Sequence, residues 1–110
     1  MAIDVKITDN SGEFLNALPE QIEQALIAIG LTAESYAKND CPVDTGRLRN
    51  SITNAVRADE KAVYIGSNVE YAAFVELGTS RMKARPYLKP AATEHSAEYK
   101  GLAEQALKGG

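Results

Sequence analysis

Three groups of side chains in this sequence could do chemistry: one cysteine, one histidine, and a short run of bases. Cys41 is the only thiol and His95 the only imidazole, so neither an internal disulfide nor a cysteine cage for zinc can be built. To work as nucleophile and base they would have to meet across half the chain. Their contexts favour plainer roles. Cys41 stands between Asp40 and Pro42, where a helix must end because the residue before a proline is pushed out of the helical region. His95 falls on the apolar stripe of a predicted helix, which suits a packed ring. The remaining acids do not form a metal set, and Glu70 and Glu76, six apart, do not share a helical face. Neither GxxxxGK[ST] nor GxGxxG occurs, and no serine or threonine is marked as a nucleophile with its base. The sequence therefore gives no reason to expect an enzyme, a bound cofactor or a metal.

The bases Arg81, Lys83 and Arg85 lie in TSRMKARP, residues 79–86, with no acid among them, and Lys89 follows. Such a cluster resembles a nucleic-acid footprint, but it is small and the chain is acidic overall, with pI ≈ 5.1. A protein-contacting loop is the preferred reading, and a DNA-contacting module using residues 81–89 is the alternative. The net charge of -3 is unevenly spread. Residues 1–40 hold seven acids and two bases, residues 41–93 five acids and eight bases, and residues 94–110 three acids and two bases. An acidic helix and a basic loop in one small subunit suit self-association or contact with a charged partner.

The elements that must position these groups follow from apolar spacing. AIDVKIT, residues 2–8, alternates Ile3, Val5 and Ile7 against polar neighbours, predicting a strand with one buried face. Residues 13–39 are predicted helical: a first turn through Phe14, Leu15 and Leu18, then a long amphipathic helix from Pro19. That helix carries Ile22, Ala25, Leu26, Ile29, Ala33, Tyr36 and Ala37 inward, and Gly30 in its middle implies close backbone packing. Residues 42–52 form a turn segment, and residues 52–67 a hairpin with Val63 and Ile65 on one face and Tyr64 on the other. A short helix is expected over 70–77, with Tyr71, Phe74, Val75 and Leu77 inward, stopped by Gly78. An exposed loop over 79–86 leads to a second long helix over 87–107, whose stripe is Leu88, Ala92, His95, Tyr99, Leu102 and Ala106.

At 110 residues, with 45% hydrophobic and 25% charged side chains, the chain fits one globular domain spanning 1–110. The expected class is α+β, a small antiparallel sheet packed against two long helices and one short helix. No stretch approaches the roughly 18 apolar residues of a membrane span, and the start lacks a signal-peptide pattern, so the chain is expected to be made and kept in a cytoplasm unless a partner carries it out.

Three segments carry more. PVDTGRLRNSI (42–52), VEYAAFVELGT (69–79) and ARPYLKPA (84–91) come in this order and separation. Together they resemble the phage and prophage family of head-tail connector, or tail-completion, proteins of long-tailed phages, over about residues 14 to 107. The resemblance implies a structural subunit of the virion neck, a homo-oligomeric ring that joins or finishes the tail. Its partners would be further copies and other neck, head or tail proteins, with nucleic acid met only as passing genome DNA, and no membrane. On the motif positions it implies structural roles for Pro42, Asp44, Thr45, Gly46, Leu48, Ser51, Ile52, Tyr71, Ala72, Glu76, Gly78, Thr79, Arg85, Pro86, Tyr87 and Leu88. Asp44 and Thr45 could cap the turn, with Gly46 supplying a backbone conformation other residues resist. Glu76 is expected either to pair with Arg47 or Arg85 or to accept backbone N–H groups of the following loop. The candidate interface is Arg81, Lys83, Arg85 and Lys89.

Overall fold

The alternation in the first residues produces strand β1, Ile3–Thr8, which buries Ile7 and rests Ile3 and Val5 against the core. In the computed structural model, which describes residues 2–8, 14, 17–42 and 46–109, β1 is one edge of a three-stranded antiparallel sheet. The other two strands are β2, Thr53–Arg57, and β3, Ala62–Ser67, joined through a 3-10 turn at Ala58–Glu60. β3 lies in the centre, pairing Ile3 with Ser67 on one side and Thr53 with Gly66 on the other. The most apolar strand takes the place that is hydrogen-bonded on both edges, and only Tyr64 in it is more than slightly exposed.

Helix α1, Pro19–Asp40, lays Ile22, Ala25, Leu26, Ile29, Ala33 and Ala37 on the core. Pro19 opens it where no N–H partner is needed, and the Leu18 N–H donates to the Gln21 side chain at 3.1 Å. At Gly30 the helix comes so close to the sheet that a Cβ would stand 2.8 Å from Asn54 Oδ1 and 2.9 Å from Val63 Cγ2. The polypeptide then forms α2 (Arg47–Ser51), α3 (Ala72–Leu77), α4 (Leu88–Thr93) and α5 (Ser96–Gly109). α5 packs along α1, and α4 fills the space between α1 and β1. The class is α+β, as expected.

Four local expectations change. Leu18 is extended and 60% exposed rather than part of a helical turn, while the long helix starts at Pro19 as expected; Phe14 is buried in a turn, and Leu15 lies outside the described residues. The 42–52 segment contains the one-turn helix α2. The expected helix over 87–107 is two helices separated at Glu94 and His95. The break lets the Tyr99 hydroxyl donate to the Ala91 carbonyl at 2.5 Å, a reach that eight residues of straight helix, about 12 Å, would prevent. Finally, α3 turns Ala72 and Glu76 inward, leaving Phe74 55% and Leu77 72% exposed rather than buried.

The molecule measures 48 × 20 × 20 Å. Its radius of gyration of 14.7 Å exceeds the roughly 13 Å of a compact chain this long, so it is a short rod. Among the described residues no helix is long and apolar enough to cross a membrane.

Candidate functional site

The three sequence motifs meet where α2, α3 and the start of α4 come together. Gly46 starts α2 with φ 82°, the left-handed conformation that glycine adopts without strain. α2 then drives Leu48 into the core, and Ile52 after it is fully buried. The Ser51 hydroxyl lies 2.6 Å from both the Leu48 carbonyl and Ser67 Oγ, and Ser67 Oγ in turn accepts the Val69 N–H at 3.0 Å. These contacts tie the first motif to the start of the second. Asp44 and Thr45, expected to cap this turn, lie outside the described residues. Pro42 is half-buried.

A second tie is ionic. Both Arg47 guanidinium ends donate to the Glu70 carboxylate at 2.9 Å, and the same guanidinium lies 5.5 Å from the centre of the Tyr71 ring. The pairing raises the arginine pKa and lowers the glutamate's, chiefly through those hydrogen bonds. Both side chains are exposed, so the pair orients the two segments more than it stabilises them.

The third tie is the buried carboxylate of Glu76, 5% exposed. Of its two expected partners it takes backbone: Oε1 accepts the N–H groups of Tyr87 (2.9 Å) and Leu88 (2.7 Å), and Oε2 accepts that of Lys89 (3.1 Å). These are the donors that a helix start leaves without carbonyl partners, so Glu76 of α3 caps α4 from outside. The Tyr87 side chain returns the contact, its hydroxyl donating to the Ala72 carbonyl at 3.1 Å, and Leu88 is fully buried beside it. Burial pushes the Tyr87 phenol well above its ordinary range.

Between these ties the 79–86 loop is folded tightly. Gly78 has φ 78°, and a Cβ there would meet the Ala84 backbone nitrogen at 2.7 Å. Thr79 Oγ1 accepts the N–H groups of Arg81 and Met82, and the Arg85 N–H donates to the Val75 carbonyl at 2.8 Å. The side chains of Arg81, Lys83, Arg85 and Lys89 are all exposed, as is Pro86, and none of the four bases is in an ion pair among the described residues. Pro42, Gly46, Leu48, Tyr71, Met82 and Arg85 face one another across a surface groove of about 360 Å³.

Cys41 and His95 take the plainer roles. The thiol is buried and donates to the Pro42 carbonyl, and burial pushes its pKa up against the pull of Arg49 and Arg85. His95 is half-buried in the α4–α5 turn, its ring stacked on Tyr36 at 3.6 Å; Tyr36 in turn donates to Glu98. No metal-ligating group of acids, histidines and cysteines exists among the described residues.

Two contributors escaped the sequence reading. Ser67 carried the local signal of a serine two residues before an N–H it accepts, a frequent turn device. The Arg47–Glu70 pair spans 23 residues and had no local signal. The arrangement as a whole locks three chain segments into one surface and exposes bases and apolar side chains beside it. A family model described as "Bacteriophage HK97-gp10, putative tail-component" matches residues 6–78, about two-thirds of the chain, including all of the first motif and nearly all of the second. Comparison with curated proteins and with solved structures finds no match. With the motifs joined as described and the match covering most of the fold, the chain belongs to the HK97-gp10-like family of bacteriophage tail-component proteins.

Proposed function

We propose that this protein is a ring-forming subunit at the head-tail junction that completes or joins the tail of a long-tailed phage. The observation that carries the reading is the family match over residues 6–78, a family described by its tail component. Two structural features support it. The motif residues use their hydrogen bonds to join three chain segments: Ser51 to Ser67, Arg47 to Glu70, and Glu76 to the start of α4. Beside them lie exposed bases that make no ion pair among the described residues, which suits docking between rigid surfaces. The work of the subunit is then to present fixed surfaces to copies of itself and to neighbouring neck, head or tail proteins, first in the host cytoplasm and finally in the virion.

Deleting the gene tests the role. Lysates should contain heads and tails that do not join or function, visible by electron microscopy, with infectivity restored by the gene in trans. Particles that lack the protein yet infect normally would refute it. A second reading is favoured by the exposed bases Arg81, Lys83, Arg85 and Lys89, none of them in an ion pair among the described residues: contact with genome DNA passing through the ring. Without a base-reading element, such contact would be to phosphates, and duplex binding would fall steeply with salt.

A further inference from the structure

We infer that one copy docks head-to-tail on a second copy, the basic loop of one seating on the acidic stretch of α1 in the next. This inference rests on the self-assembly proposed above and specifies its surfaces. At the basic loop, α3 turns Phe74 and Leu77 to solvent beside Arg81, Lys83 and Arg85. On the amino-terminal half of α1, the outer face carries Glu20 and Glu23, followed one turn on by exposed Ile27 and two turns on by exposed Leu31. Residues 20, 23, 27 and 31 fall within about 80° of one another around the helix, so they make one stripe. Beside that stripe α1 and α5 leave an open groove of about 500 Å³, floored by Ala28, Leu102 and Ala106. Each surface thus pairs an apolar centre with flanking charge, and the charges are opposite. Neither the three bases nor the two acids is in an ion pair among the described residues.

A single copy cannot satisfy both surfaces. The basic loop lies at the carboxyl end of α1, since Met82 and Arg85 line one groove with Pro42, two residues past that end. Glu20 is 20 residues before Asp40 on the same helix, about 30 Å away at 1.5 Å per residue. The amino end of α1 is instead joined to the end of α5, where Gln21 donates to the Leu107 carbonyl. Such a distance is several Debye lengths at physiological salt, so the two patches scarcely feel each other within one molecule. Two unlike surfaces so far apart on one molecule make a heterologous contact, which closes into a ring when the rotation per copy allows. The apolar centres then leave water in every copy rather than in a terminal one.

The test is a charge exchange on the full chain, read by light scattering or mass photometry. The triple variant Arg81→Glu, Lys83→Glu, Arg85→Glu and the double variant Glu20→Lys, Glu23→Lys should each associate at least about tenfold more weakly than the native protein. Mixed together they should recover assembly as alternating oligomers, and a chain carrying all five changes should assemble alone. Phe74→Ser with Leu77→Ser should weaken association while leaving the thermal midpoint near native, because both side chains are already exposed. A native protein that stays monomeric up to millimolar concentration and on tails would overturn the self-assembly reading itself. Native oligomers that persist unchanged in both reversed variants would leave self-assembly standing and overturn this interface. So would a triple variant that loses DNA retention or tail attachment but not self-association.

Discussion

Replacing Glu76 by alanine removes the acceptor of three backbone N–H groups at the start of α4. A hydrogen bond to an ionised group contributes about 1.5–3 kcal/mol net, and a buried donor left without a partner costs about 1–3 kcal/mol. The three bonds share one carboxylate, so their effects do not add; water can reach the half-buried Lys89 N–H, which leaves the two bonds at Oε1 as the main loss. The expected destabilisation of Glu76→Ala is therefore about 3–5 kcal/mol. Against a typical domain stability of about 5–15 kcal/mol, that lowers the melting temperature by roughly 15–25 °C. Glu76→Gln is the sharper probe. Its carbonyl can stay at the Oε1 position and keep Tyr87 and Leu88, but its amide turns a donor toward the Lys89 N–H, so the loss should be about 1–2 kcal/mol. Urea denaturation followed by circular dichroism measures all three proteins, and the order native, glutamine, alanine is required. An alanine variant within about 1 kcal/mol of native would refute the claim that this carboxylate joins α3 to α4.

Gly78→Ala should cost about 2–4 kcal/mol, because φ 78° with ψ 173° excludes side chains and the new Cβ would press on the Ala84 backbone; a midpoint within 0.5 kcal/mol, roughly the noise of a surface change, counts against the loop geometry. Burial raises the phenols of Tyr87 and Tyr99 in the folded state, while unfolding frees them to ionise near pH 10. Stability is thus complete below about pH 10 and should decline as pH climbs past it, measured as denaturant midpoints from pH 8 to 11. A flat profile would show that these hydroxyls are not held un-ionised. The Cys41 thiol, buried and raised in pKa, should react with a thiol reagent at neutral pH at least about a hundredfold more slowly than in denaturant; rapid labelling of native protein would place it at the surface.

Much of the fold was legible because local spacing reports burial when an element packs with one face. The stripe from Ile22 to Ala37 and the alternation of Ile3, Val5 and Ile7 are such cases, and they place the two elements that bracket the core. Spacing misled where a polar contact outweighed it. In 70–77 the apolar Phe74 and Leu77 read as inward residues, but Glu76 has three N–H groups to meet and sets the helix rotation, turning both to solvent. Similarly the even stripe from Leu88 to Ala106 read as one helix, and the break at Glu94 and His95 answers contacts with Tyr36 and between Tyr99 and Ala91 that lie outside any local window.

The same division holds for the candidate site. By themselves the residues 42–52, 69–79 and 84–91 determined the family resemblance, the glycines at positive φ and the basic character of the loop, because each is a property of a short segment. Only the tertiary structure decided what those segments do together. It paired Arg47 with Glu70, Ser51 with Ser67 and Glu76 with the start of α4, and it brought the basic loop beside Pro42, just past the carboxyl end of α1, far along that helix from Glu20 and Glu23. Those outcomes depend on distances between residues far apart in the chain, which packing of α1 on the sheet establishes and no local pattern encodes.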